Sequence, residues 1–253
     1  MSSRSYLYAC SSRDEAEAQQ HLNNSCWIMK WTIPIFWYAC FDPVDEITIT
    51  PPDEALFAYP ALLASIDQIS ERLTRRKDKV IQLLPDELQT GYGELYDAFS
   101  EQLREDFSEF VLLDIGDLFA LLEGDESVMS GWTGEIKLFA DMADGDAARE
   151  LADFAIANAI NLGEPAGRYE MQNIPADVLA IDWRRLAVGG PKGSTEFPPY
   201  PHDSELSYAA EVIEKFELKS DQDIPAEIDI PTGFSVEEID ENMNKNPWWK
   251  FWK

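Results

Sequence analysis

The sequence predicts an α+β fold, mostly helical, with a small β-sheet formed by N-terminal strands and an extended C-terminal arm. Three observations predict it. Short segments near the N-terminus are aromatic or β-branched and bounded by polar residues, as strands are. Further along, apolar residues recur at spacings of three and four, the signature of amphipathic helices. Last, residues 243–253 hold no acid, although the chain carries 48 acidic and 20 basic residues, so this end departs from the composition of the body.

Arg4-Ser5-Tyr6-Leu7-Tyr8-Ala9-Cys10 reads as the first strand, and the polar, acidic residues 12–24 as a loop or short exposed helix. Residues 26–41 are the most hydrophobic stretch. Pro34 lacks an N–H and does not fit a central strand, whereas a first helical turn accepts it, so a buried helix is expected from after Thr32 to about Phe41. Trp27, Trp31, Phe36, Trp37 and Tyr38 are expected in the core. Residues 46–50 alternate in the two-residue period of a half-buried strand, which Pro51-Pro52 ends.

From Asp53, an N-cap residue type, the period changes. Leu56, Tyr59, Leu62, Leu63, Ile66, Ile69, Leu73, Val80 and Leu84 predict one long amphipathic helix, kinked at Pro60 and stopped by Pro85. Leu95, Phe99, Leu103, Phe107 and Phe110 predict a second helical segment. Leu151, Phe154, Ala155 and Ile160 predict a third, and Leu206, Ala209, Ile213 and Phe216 a fourth. Residues 115–122 and 136–142 are too short to assign.

Residues 189–201, Gly189-Gly190-Pro191-Lys192-Gly193-Ser194-Thr195 and then Phe197-Pro198-Pro199-Tyr200-Pro201, are rich in turn formers. The expected organisation is an α+β domain over residues 1–188 and a Gly/Pro-rich loop over 189–204. An acidic helix and C-terminal arm, residues 205–253, then pack on the main domain.

A net charge of −28 repels phosphate backbones and anionic lipid surfaces, and it attracts basic proteins. Nucleic acid and stable membrane association are therefore not expected. Cys10, Cys26 and Cys40 cannot all pair within the chain, which suits a reducing, cytoplasmic setting. No run approaches the roughly 18 apolar residues of a membrane span.

No catalytic constellation stands out, and no catalytic, cofactor or metal residue is assigned. The only histidines are His21 and His202, and no orienting group or nucleophile elbow accompanies either. Gly193 separates Lys192 from Ser194, so residues 189–195 do not make a phosphate loop. Asp141, Asp144, Asp146 and Glu150 miss the offsets of a calcium loop, and a helix cap explains Asp144 and Asp146 more economically.

The candidate docking residues are Trp248, Trp249, Lys250, Phe251, Trp252 and Lys253. Three indoles in five residues need burial, and the two lysines suit an acidic surface, so the tail is expected to fold back onto the body. A second copy or another partner could take it instead, which allows a homo-oligomer through the arm.

Arg4-Ser5-Tyr6-Leu7-Tyr8, followed by Ile33-Pro34-Ile35-Phe36-Trp37, resembles an uncharacterised family of bacterial cytoplasmic proteins that open with an Arg-Ser-Tyr-Leu-Tyr strand. The resemblance covers about a fifth of the chain. It implies a bacterial origin and a globular domain, and it brings no catalytic residues. Charge points to a non-enzymatic acidic binding protein, an immunity or antitoxin-like inhibitor of a basic partner. The alternative is a hydrolase with an Asp/Glu-lined cleft, which a pocket of converging Asp or Glu side chains with perturbed pKa values would favour, whereas a solvated acidic face without a pocket would favour the binder.

Overall fold

Leu7 and Ala9 alternate with Tyr6, Tyr8 and Cys10 along the first strand, and each set enters a different apolar layer. The computed structural model describes residues 4–13, 26–30, 33–50, 58–82, 84, 86–117, 175–194 and 196–220. Five strands form one antiparallel sheet: β1 (Arg4–Cys10), β2 (Cys26–Lys30), β3 (Glu46–Ile49), β4 (Tyr59–Ser65) and β5 (Phe110–Asp114), in the order β2-β1-β5-β4-β3. Register places Tyr6 opposite Asp114, Leu7 opposite Leu113, and Leu62 opposite Leu113 on the other side.

One face of the sheet carries the larger core. Leu7, Trp27, Leu62, Ala64, Val111 and Leu113 meet Leu73, Leu95, Phe99, Leu179 and Ala209 from the helices. The opposite face is apolar and buried as well, through Tyr8, Cys10, Ile49, Ala61, Leu63 and Leu112. The helices among the described residues are α1 (Ile35–Tyr38), α2 (Ile66–Ile81), α3 (Asp86–Asp106), α4 (Ala176–Val188) and α5 (Asp203–Ser220).

Three sequence expectations need correction. The helix expected up to Phe41 is a single turn, α1, with Pro34 at its N-cap rather than inside it. Its extension is replaced by side-chain bonds: Arg76 Nη1 donates to the Ala39 and Phe41 carbonyls, each at 3.0 Å, and Arg72 Nη1 to that of Cys40 at 3.1 Å. These donors satisfy the carbonyls that a stopped helix leaves open.

The long helix drawn through Tyr59, Leu62 and Leu63 is also wrong there, because Tyr59–Ser65 is strand β4. Residues 61–64 are all buried and alternate between the two apolar layers, so a helical spacing count cannot separate them from a helix face. Pro60 faces Thr48 of β3 and lies before the stretch of β4 that pairs with β5, where its missing N–H is tolerated. The helix starts at Ile66 behind a capping box: Ser65 Oγ accepts from Gln68 N at 3.3 Å, and Gln68 Oε1 accepts from Ser65 N at 3.2 Å. Asp53 lies outside the described residues.

Phe110 opens β5 instead of continuing α3. The fourth expected segment is α5, while α4 falls where no helix was expected. The third segment, residues 151–160, lies outside the described residues. The Gly/Pro-rich loop between α4 and α5 is stitched to the sheet edge, since Ile28 N donates to the Gly190 carbonyl at 2.9 Å and Trp27 bridges Pro191.

Candidate functional site

Trp248, Trp249, Lys250, Phe251, Trp252 and Lys253 lie outside the described residues, as do His21 and the acids at 141–150. His202 is exposed. Its Nδ1 lies 3.2 Å from Ser204 Oγ, and its carbonyl accepts from Glu205 N and Leu206 N at the start of α5, the work of a helix cap.

The solvent side of α3 gathers acid in an ordered way. Leu88, Tyr92, Leu95, Tyr96, Phe99 and Leu103 turn inward at helical spacing, which leaves Glu87, Glu94, Asp97, Glu101 and Glu105 on the outside. Asp86 and Asp106 stand at the two ends, and Arg104 is the exposed cation of this helix. Asp97 receives Lys77 Nζ at 2.6 Å. α5 packs beside α3 and adds exposed Asp203, Glu211 and Glu214. Burial, and then the charges of Glu87 and Glu211, push the Tyr208 phenol above its ordinary value, so the charge of one acid from each helix is felt at this phenol.

A second polar group sits at the end of β5. Asp114 is buried, and loss of solvent raises its carboxyl above the ordinary range, with the neighbouring charge of Asp117 adding to the effect. Hydrogen bonds from the Gly116 N–H, at 2.8 Å, and from Tyr59 oppose that rise. Tyr6 stacks on Tyr8 at 5.3 Å and donates to Asp117 Oδ2 at 2.8 Å. The Tyr59 ring lies over Gly116 so closely that a Cβ there would be 2.6 Å from Cζ. Asp114 therefore accepts from the residue two positions on, closing the turn after β5. That is a structural use of the carboxylate.

The remaining buried charges are also committed. Arg72 pairs with Asp42 at 2.6 Å and Asp45 at 2.5 Å, and Arg76 with Asp42 at 2.5 Å. Together they tie residues 39–45 to α2. Arg184 on α4 holds Glu205 on α5 through two bonds, Nε at 2.6 Å and Nη2 at 2.5 Å, and gives Nη1 to the Pro199 carbonyl at 3.0 Å.

None of these buried partners was identified from sequence. Arg72 and Arg76 do carry a signal, because they fall at the i+3 and i+7 positions of the apolar stripe that Ile69 starts. No described group of three or more His, Cys, Asp or Glu side chains is placed to hold a metal ion. Nor is any described helix long and apolar enough to cross a membrane. Comparison with known protein families, with curated proteins and with solved structures gives no match.

Proposed function

We propose that this chain is a non-enzymatic acidic binding protein that docks a basic protein partner, as an immunity or antitoxin-like inhibitor docks a basic toxin. The exposed row Glu87, Glu94, Asp97, Glu101 and Glu105 carries the reading, because it runs along a rigid 21-residue helix with its apolar side locked into the core. A fixed row of like charge steers a cationic partner and sets its orientation at little cost in ordering. The same field disfavours nucleic acid as a partner. The resemblance to bacterial cytoplasmic proteins belongs to this reading, and supplies the compartment in which such an inhibitor would act.

The test is capture of basic proteins by the immobilised chain, washed at about 50 and then about 500 mM salt. Over that range the screening length falls from about 14 to about 4 Å, so retained basic proteins should elute. Retention that salt leaves untouched, through an apolar contact, overturns the proposal.

Asp114 favours the second reading, a hydrolase working through a carboxylate-lined cleft, since a buried acid of raised pKa suits proton transfer. Its bonds to Gly116 and Tyr59 weigh against it. Trp248, Trp249, Lys250, Phe251, Trp252 and Lys253 are proposed as docking residues, on the body of the same chain or on a second copy.

A further inference from the structure

We draw no further inference here: the strongest candidate, the acidic solvent-facing stripe of α3 from Glu87 to Glu105, belongs to the surface already proposed for a basic partner, and nothing else among the described residues says what covers it.

Discussion

A Cβ on Gly91 would stand 1.8 Å from Oε1 of Glu205, so the bare backbone at this position of α3 is what admits the carboxylate of α5. Arg184 Nη2 also reaches the Gly91 carbonyl, at 3.5 Å, and three helices therefore converge on one glycine. Exchange to Ala favours a helix by about 1 kcal/mol where there is room. At Gly91 that gain is reversed, because Glu205 must move and Arg184 loses its partner. Gly91→Ala should destabilise the fold by about 2–4 kcal/mol, the range for disturbing a buried pair. Gly93→Ala is the control, since nothing lies within 4 Å of its added Cβ. It should be neutral or slightly stabilising in the same denaturant titration, and equal losses at both positions would sink the argument.

The Arg184–Glu205 pair gives a second prediction. Both side chains are buried, at 3% and 1% exposure, so either single replacement strands a charge away from water. Glu205→Leu or Arg184→Met should each cost about 3–5 kcal/mol, whereas the double variant Arg184→Met/Glu205→Leu should recover much of the loss. The coupling read from the double-mutant cycle should exceed about 1 kcal/mol. Additive losses would mean that the two groups do not act as a pair.

Asp114 makes a prediction about pH. A carboxyl whose folded pKa is raised binds protons more readily in the folded than in the unfolded chain. Its contribution is therefore fully present below the ordinary value of 3.8 and is lost as pH climbs through the raised folded value. Asp114→Asn keeps an acceptor for the Gly116 N–H but does not titrate. The variant should gain stability relative to the parent as pH rises from about 3.5 to 7. A difference that stays constant across this range would show that the carboxyl does not carry the effect.

The acidic face can be separated from the fold. Glu94, Glu101 and Glu105 are exposed, and Glu101 and Glu105 stand four residues apart, a like-charge spacing that costs a few tenths of a kcal/mol. Replacing all three by Gln should leave the melting temperature unchanged or slightly higher, while capture of basic proteins at about 50 mM salt should fall several-fold. Undiminished capture by a folded triple variant would remove α3 as the docking surface.

Strands with one clear alternation were legible in the sequence. Glu46–Ile49 follows that pattern, and β1 is marked by its aromatic run between polar residues. Strand β4 was not, because Ala61, Leu62, Leu63 and Ala64 bury both faces and erase the two-residue period. The Ser65–Gln68 box would have placed the start of α2 correctly, had the cap been weighed against the spacing of leucines. Helix α4 does carry an apolar stripe at helical spacing, Leu179, Ala180, Trp183 and Ala187, and the sequence reading passed over it. The buried carboxylates are harder still. Among 48 acids, Asp114 has a local mark in Gly116, two positions on, but its partner Tyr59 lies 55 residues before it, and Glu205 takes its role from Arg184, 21 before it.

The last prediction concerns Trp248, Trp249, Lys250, Phe251, Trp252 and Lys253, the sharpest departure of the chain from its own acidic composition. An indole that leaves water contributes by area, at about 25 cal/mol per Å², so burying two of them is worth a few kcal/mol. The lysines add a preference for an acidic surface, and the proposal places such a surface on the body or on a second copy. Deleting residues 246–253 should then lower the melting temperature by several degrees or dissociate an oligomer, because 1 kcal/mol shifts a chain of this size by about 2–4 °C. Calorimetry and light scattering on the full and shortened chains measure both outcomes. An unchanged melting temperature and mass, with the intact tail open to protease, would mean that these residues form a free tether.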